Sequence, residues 1–222
     1  MTAFSFPIVG FDLDGTLFDT GGDLAAAVNV TLAGEGRALL PTEAILKMVG
    51  AGSRHMLGEA LAATGGCDDA LLDRLYPKLL VAYEADIARL TKPYPGALDA
   101  LDQLAARGVK IALVTNKLEH LAEAMLAGLG LRSRFATVIG GDTLGVAKPD
   151  PAPIREMIAR LGGGRAAFVG DSRFDVEAAH NAGIPVVLVS FGYRLDAIEA
   201  LHADAVIDHF ADLIPALEAL PA

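Results

Sequence analysis

The 222-residue sequence has a single cysteine and no tryptophan, and its basic residues are few. With Cys67 alone, no intrachain disulfide can form, and this usage fits a cytoplasmic protein. Lysine and arginine number 18 against 28 acidic residues, giving a net charge of −10. That balance argues against nucleic acid or an anionic membrane surface as a partner. The N-terminus lacks the basic flank of a signal peptide, and no apolar run approaches the ~18 residues of a membrane span.

What the chain has in quantity is hydrophobic side chains, at 53% of its residues, enough for a sizeable core. Short apolar runs alternate with amphipathic stretches, a pattern typical of an α/β fold with a parallel sheet and helices on both faces. We therefore predict a doubly wound, Rossmann-like core. Its predicted helices are 96–106, 119–129, 153–161 and 174–182, and its predicted strands are 8–11, 109–114, 136–139, 166–169 and 185–189.

Between the first strand and the rest of the sheet, apolar residues recur at helical spacing only. This pattern predicts a small helical cap over residues 21–92, with 1–20 and 93–222 forming the catalytic core. Gly21-Gly22 and Thr91-Lys92-Pro93 are the predicted linkers, and Pro77 is expected to kink or break the last helix of the insert. Two linkers beside one sheet edge suggest a mobile lid; a rigid helical subdomain is the alternative.

The chain has four short polar segments. Three of them each follow an apolar run, and the one that contains Lys148 lies in a loop between two such runs. They are Asp12-Leu13-Asp14-Gly15-Thr16, Val114-Thr115-Asn116-Lys117, Lys148-Pro149 and Gly170-Asp171-Ser172-Arg173-Phe174-Asp175. In an open α/β sheet, ligands bind beyond the carboxyl ends of the strands. The sequence therefore predicts that carboxylates, a hydroxyl and a lysine meet at one edge.

The order of these four segments resembles the haloacid dehalogenase superfamily, over nearly the whole chain. The resemblance implies a doubly wound core with a helical cap at this insertion point. Within the superfamily, Thr115-Asn116-Lys117, Val138-Ile139-Gly140-Gly141-Asp142 and Gly170-Asp171-Ser172-Arg173 are similar to the bacterial phosphoglycolate phosphatase family. Phe174 and Asp150 depart from that pattern, where asparagine and histidine are common.

Asp12 is the candidate nucleophile, because a carboxylate can attack phosphorus and form an acyl phosphate that water then hydrolyses. The alternative for Asp12 is a turn-capping residue. Asp14 is the candidate general acid and base: of two neighbouring carboxylates, one keeps its proton more readily, and we expect that one to be Asp14. Dehalogenases of the superfamily lack a carboxylate at this position, which disfavours a dehalogenase.

Asp171 and Asp175 join Asp12 as a cluster of hard oxygen ligands suited to Mg²⁺. The expected ligands are the Asp12 carboxylate, the Asp14 backbone carbonyl, Asp171, waters and phosphate. Asp175 contacts the metal directly or supports its ligands from behind. The alternative is a pair of surface aspartates at a helix start.

Phosphate binding is expected from positive charge and from amides. Lys148 would offset repulsion between the nucleophile and the phosphate dianion, unless it is a solvated surface lysine. Thr115 and the amide of Asn116 would bind phosphate oxygens at a helix N-terminus, unless they are ordinary capping residues. The backbone amides of Gly15 and Thr16 are expected to complete the cradle.

The leading functional hypothesis is Mg²⁺-dependent hydrolysis of 2-phosphoglycolate, a small phosphorylated metabolite, through a phosphoaspartate. The alternatives are another small-phosphate phosphatase or a pyrophosphatase, a phosphoglucomutase, which the Ala/Leu-rich insert disfavours, and a non-catalytic phosphate-binding regulator. The sequence carries no signal for an oligomeric state.

Arg54 is the candidate substrate-binding residue of the cap. It follows the flexible Gly50-Ala51-Gly52 turn and lies in the first turn of a predicted helix that begins near Ser53. If the lid closes, the helix start and Arg54 would face the substrate carboxylate. The alternative is that Arg54 is simply solvated.

Overall fold

The computed structural model describes residues 4–193 and 196–221. Every predicted helix and strand of the core is confirmed to within one residue at each end. The observed elements, in chain order, are β1 Ile8–Phe11, β2 Phe18–Asp19, α1 Gly21–Gly34, α2 Thr42–Leu46, α3 Ser53–Ala63, α4 Asp69–Ala85, β3 Lys92–Pro93, α5 Ala97–Ala106, β4 Lys110–Val114, α6 Glu119–Gly128, β5 Thr137–Ile139, α7 Ala152–Arg160, β6 Ala166–Gly170, α8 Arg173–Ala182, β7 Val186–Val189, α9 Ile198–Leu201, β8 Ala205–Ile207 and α10 Leu213–Ala219.

The main sheet has six strands in the order β5-β4-β1-β6-β7-β8, and all its pairs are parallel. β1 lies between β4 and β6, so the three strands that precede the predicted site residues are neighbours. All four residues of β1 and of β7 are buried, as expected for strands covered on both faces.

Helices cover both faces of this sheet, and alternate strand residues face opposite sides. On one face, Val9 and Phe11 pack with residues of α5, α6 and α10. On the other, Ile8 packs with residues of α7 and α8. The predicted α/β, doubly wound fold is confirmed. No helix in the described ranges combines the length and the apolar character that crossing a membrane requires.

The helices α1 to α4 follow the first strand and bury a hydrophobic cluster of their own. Leu24, Val28 and Leu32 of α1, which recur at helical spacing, are all buried in this cluster. Leu121 of α6 belongs to the same cluster, so these helices pack onto the core there. The predicted helical insert is thus present; we use this term below for α1 to α4.

The insert differs from the prediction in two respects. Gly21 and Gly22 are not a linker: they are the first residues of α1. Gly21 packs closely against Leu46, and a Cβ at Gly21 would require the Leu46 side chain to shift. Pro77 does not break α4, which continues to Ala85. Proline removes one helical hydrogen bond, and the buried face of α4, which includes Leu79, holds the helix together around it.

The connections between core and insert form a small ribbon that the sequence did not predict. β2 and β3 pair antiparallel, with Phe18 opposite Pro93. Just beyond the ribbon, the buried Asp23 carboxylate accepts hydrogen bonds from the backbone of Leu90 and from both the backbone and the hydroxyl of Thr91. The two connections are therefore tied to each other. β8 and α10 at the C-terminus were also not predicted.

Candidate active site

The predicted site residues meet at the carboxyl edge of three adjacent strands. Asp12 follows β1, Thr115 follows β4 and Asp171 follows β6. The backbone pairing continues one step past β1, where the Asp12 N–H donates to the Val169 carbonyl at 2.9 Å. These positions are fixed by the sheet, and the predicted convergence is observed.

Asp12, Asp171 and Asp175 form a compact acidic cluster. One carboxylate oxygen from each lies within 4.8 Å of the others, and the three residues are only 7%, 3% and 1% exposed. The alternative of surface aspartates at a helix start is therefore wrong. Three buried carboxylates with hard oxygen donors are a set that Mg²⁺ prefers.

Lys148 is buried inside this cluster. Its ammonium group lies 2.7 Å from Asp12 Oδ1 and 2.6 Å from Asp175 Oδ1, and it donates to the Val114 carbonyl at 2.8 Å. The residue is 4% exposed, so a solvated surface lysine is excluded. One cation faces three carboxylates, which leaves an excess of negative charge that a divalent metal would offset.

Asp175 has both carboxylate oxygens engaged. Oδ1 binds Lys148, and Oδ2 accepts from the Ser172 hydroxyl at 2.7 Å and from the backbone of Ser172 and Asp171 at 3.0 and 3.2 Å. In this arrangement Asp175 orients Lys148 and the loop that carries Asp171. Of the two roles predicted for Asp175, these contacts fit support of the metal ligands from behind.

Glycines on two sides let the backbone approach the Asp171 carboxylate closely. A Cβ at Gly15 would lie 2.5 Å from Asp171 Oδ2, and one at Gly192 would come closer still to the same oxygen. Gly15 also has a φ of +85°, which favours glycine. At both places a side chain would collide with the Asp171 carboxylate, so glycine is what allows this close approach.

Burial raises the pKa of two of the carboxyl groups, those of Asp12 and Asp171. Desolvation, opposed by Lys148 and reinforced by Asp175, raises the pKa of Asp12 from 3.8 to about 6. Desolvation followed by repulsion from Asp175 and Asp12 raises the pKa of Asp171 well above its usual range. Both groups resist ionisation without a counter-charge, which is the electrostatic condition that a metal ion relieves.

The contacts of Asp14 differ from those we expected of a carboxyl group that keeps a proton. Its carboxylate forms an ion pair with Lys117, at 2.8 and 2.9 Å, and accepts a hydrogen bond from Thr20 Oγ1 at 2.6 Å. These donors suit an ionised carboxylate. A proton on Asp14 would require Lys117 to release it.

Lys117 is a site residue to which the sequence analysis gave no role. Its ammonium group also donates to the Tyr83 hydroxyl of α4 at 3.0 Å, and its side chain is 4% exposed. Burial alone would lower the pKa of Lys117, but the Asp14 carboxylate and the Tyr83 hydroxyl outweigh burial and raise it. The available signal was its place two residues after Thr115, in a loop already assigned to the site.

Thr115 and Asn116 lie in the site but not at a helix N-terminus. α6 begins at Glu119, as predicted, so the amide of Asn116 belongs to the loop before the helix. Its contact with phosphate stays a prediction. Thr115 is buried and lines the cavity. The Asn116 carboxamide donates to the carbonyls of Gly50 and Lys148, both at 2.9 Å, and accepts from the Lys148 N–H. Asn116 therefore joins the insert to the lysine loop.

Thr16 and Gly15 stand beside the acidic cluster. The Thr16 hydroxyl donates to Asp171 Oδ1 at 3.3 Å, and the Gly15 N–H donates to the Phe18 carbonyl at 3.0 Å. The Gly15 amide is thus occupied within its own turn. Phosphate binding by the amides of Gly15 and Thr16 stays a prediction.

Arg54 lies away from this cluster. Its guanidinium binds Asp73 at 2.6 Å and stacks over Tyr76, and its side chain is 45% exposed. Arg54 is not among the residues that line the cavity. Its contact with substrate stays a prediction that this conformation does not support.

Tyr193 is a further residue that sequence reasoning missed. Its N–H donates a hydrogen bond to Asp171 Oδ2 at 2.7 Å. Its hydroxyl accepts one from the Gly21 N–H at 2.8 Å and donates one to the Asp19 carboxylate. It thus connects the acidic cluster to the start of the insert. The contact of its hydroxyl with Gly21 spans 172 positions of sequence, and no local pattern marks it.

A cavity opens between the acidic cluster and the insert. The insert contributes an apolar wall with two polar side chains, Ser53 and Tyr83. The apolar residues of this wall are Leu24, Ala27, Val49, Met56, Leu79 and Leu80. The cavity therefore has one charged side, from the core, and one mainly apolar side.

Comparison with known proteins agrees with this geometry. The haloacid dehalogenase-like hydrolase family matches residues 9–189. Phosphoglycolate phosphatases of Caulobacter vibrioides and Rhodospirillum rubrum are 42% and 43% identical, over 92% and 91% of this chain and 88% and 87% of theirs. A crystal structure from Haemophilus somnus, described as a predicted phosphoglycolate phosphatase, superposes with a TM-score of 0.90 at 28% identity. It covers 95% of this chain and 97% of that one.

The family match spans most of the chain and includes Asp12, Asp14, Thr115, Lys148, Asp171 and Asp175. The resemblance inferred from the motifs is confirmed, and this chain belongs to the haloacid dehalogenase-like hydrolase family.

Proposed function

We propose that this protein is a Mg²⁺-dependent phosphate-monoester hydrolase that acts through a phosphoaspartate on 2-phosphoglycolate. The observation that carries the proposal is the buried Asp12 beside Lys148, with Asp171 and Asp175 completing an oxygen cluster open to the cavity. Relatives at about 40% identity bear the name phosphoglycolate phosphatase, which supports the choice of substrate.

Asp12 is the proposed nucleophile. Its carboxylate oxygen attacks phosphorus, the ester oxygen leaves, and water later hydrolyses the acyl phosphate. Lys148 holds Asp12 Oδ1 at 2.7 Å, which orients the carboxylate and reduces its repulsion of the phosphate dianion. Asp12, Asp171 and the Asp14 carbonyl would hold Mg²⁺, which when bound neutralises charge on the phosphoryl oxygens.

Asp14 is the proposed general acid and base. In this role it gives a proton to the leaving oxygen and later takes one from the attacking water. Its pair with Lys117 must open first, because a carboxylate that accepts from an ammonium group has no proton to give. Thr115, Asn116 and the amides of Gly15 and Thr16 are the proposed phosphate contacts. The Gly15 amide would first have to leave the Phe18 carbonyl.

The proposed cap is the helical insert, over residues 21–92, with the core at 1–20 and 93–222. The two connections are tied to each other around Asp23 and Thr91, so the insert would move as one unit if it moves. Such movement would close the cavity over the substrate.

A small, mostly apolar insert wall favours a small metabolite over a sugar phosphate, which disfavours a phosphoglucomutase. Another small-phosphate phosphatase or a pyrophosphatase is the second candidate.

The test is phosphate release from a panel of metabolites, with Mg²⁺ and with EDTA. We expect 2-phosphoglycolate to give the highest kcat/KM, and we expect EDTA to abolish activity and Mg²⁺ to restore it. Asp171→Ala should raise the Mg²⁺ concentration needed for half-maximal activity. Full activity in chelator would contradict the metal assignment, and preference for pyrophosphate would move the proposal to the second candidate.

A further inference from the structure

Lys117 is a buried cation whose position the proposed chemistry does not require. Its ammonium group contacts the Asp14 carboxylate, the Tyr83 hydroxyl and, at 4.7 Å from the centroid, the Tyr83 ring. It lines the same cavity as Asp12. A charge buried this deeply is costly unless it is paired, and Asp14 is its partner in this conformation. Because Lys117 also lines the cavity, an anion bound there can compete with Asp14 for it.

Lys117 and Lys148 are the positively charged residues among the described residues that line the cavity. Lys148 is already engaged by Asp12, Asp175 and the Val114 carbonyl. Lys117 is engaged by one carboxylate. A second anionic group on a substrate, distinct from its phosphate, would therefore find its cationic partner in Lys117.

Tyr83 adds a hydrogen-bond donor from the opposite wall. Its hydroxyl oxygen accepts from Lys117 at 3.0 Å, and no described residue accepts the hydroxyl hydrogen. A tyrosine hydroxyl can accept and donate at the same time. An anion beside Lys117 could thus receive both donors. Because Tyr83 belongs to α4 and Lys117 to the core, such an anion would join the insert to the core.

We infer that Lys117 and Tyr83 form the binding site for a carboxylate on the substrate. The enzyme then selects small phosphate monoesters that carry a carboxylate close to the phosphate. This inference rests on the proposed phosphatase function. On binding, the substrate carboxylate takes the place of Asp14 on Lys117. The freed Asp14 carboxylate then accepts a proton from solvent, which it needs to act as general acid.

The experiment compares 2-phosphoglycolate with its carboxamide analogue, which has nearly the same shape and no second charge. kcat/KM is measured with Mg²⁺ for wild type, Lys117→Met and Tyr83→Phe. Lys47→Met is the matched control, because it removes a lysine that is exposed on the insert outside this cavity.

We expect Lys117→Met to lose about 10–100-fold more kcat/KM on the acid than on the amide, the range for a hydrogen bond to a charged group. Tyr83→Phe should lose about 3–10-fold selectively on the acid, and Lys47→Met should change both substrates by less than about 2-fold. Equal losses on acid and amide would mean that Lys117 only positions Asp14, and would overturn the inference. If Lys117→Met does not fold, Tyr83→Phe applies the same criterion.

Binding supplies a readout that does not depend on turnover. In an Asp12→Asn background, calorimetry should show that Lys117→Met weakens binding of 2-phosphoglycolate about 10-fold or more and leaves binding of the amide unchanged. Unchanged binding of the acid would overturn the inference.

The proposed substrate and the Lys117 inference fail separately. If wild type prefers a different carboxylate-bearing monoester, and that preference over the matching amide requires Lys117, the choice of 2-phosphoglycolate is wrong and the inference holds. If wild type hydrolyses acid and amide equally well, the inference is wrong and the phosphatase function stands.

Discussion

The Lys148 ammonium group lies between the carboxylates of Asp12 and Asp175, 2.7 Å from one and 2.6 Å from the other. Burial by itself would lower the pKa of Lys148, but these two carboxylates raise it above its ordinary value. The lysine is therefore a fixed positive charge that keeps two buried acids close together.

Replacing Lys148 with methionine should destabilise the protein in the absence of metal. The variant leaves Asp12 and Asp175 buried without their cation, and removing one partner of a buried ion pair typically costs about 3–5 kcal/mol. Urea denaturation in EDTA at pH 7.5 measures the free energy of unfolding. A change below about 1 kcal/mol, matching the exposed Lys47→Met control, would show that Lys148 does not hold the cluster together.

Asp12→Asn should have an effect on stability that depends on pH. The folded pKa of Asp12, about 6, lies above the unfolded value, so folding favours the protonated form. This contribution is present below pH ~4 and is lost as pH rises through about 6. In EDTA, wild type should therefore lose about 2–3 kcal/mol relative to Asp12→Asn between pH 4 and pH 7.5. A difference between the two proteins that stays constant with pH would contradict the raised pKa.

Asp14→Asn should lower kcat by at least ~10²-fold while phosphate and Mg²⁺ still bind. The loss should be larger for an ester with a poor leaving group than for p-nitrophenyl phosphate, whose leaving group needs little protonation. Steady-state kinetics on both esters measures this. Equal losses would rule out protonation of the leaving group as the main role of Asp14.

Arg54→Ala should change kcat/KM for 2-phosphoglycolate by less than about 3-fold, because Arg54 pairs with Asp73 at an exposed site and exposed pairs contribute little. p-Nitrophenyl phosphate, which has no carboxylate, serves as the comparison. A loss of 10-fold or more confined to 2-phosphoglycolate would restore Arg54 as a carboxylate ligand.

The sequence was sufficient to predict the core and the residues at its carboxyl edge, because both follow from local signals. Apolar runs such as Val186–Val189 mark buried strands, and the carboxyl ends of parallel strands meet. Asp12, Thr115 and Asp171 could thus be placed together before any coordinates. β8 was missed because Ala205–Ile207 is short and only partly buried.

The rest of the site depends on contacts between distant segments, which no local pattern records. Tyr83 is a buried residue of α4, and nothing in its local sequence marks it as a partner of Lys117. The contact of Tyr193 with Asp171 depends on how the chain returns after β7. The ion pair of Asp14 with Lys117, 103 positions away, could not be predicted from the local sequence.

The central feature of the proposed mechanism is Asp12 as a covalent nucleophile. The direct measurement is an acid quench during turnover of 2-phosphoglycolate labelled in its phosphoryl group, followed by mass spectrometry of the peptide that contains Asp12. We predict a labelled, base-labile acyl phosphate on Asp12 in wild type, and neither label nor turnover in Asp12→Asn. Substantial turnover by a pure Asp12→Asn preparation, or label on another residue, would contradict the mechanism.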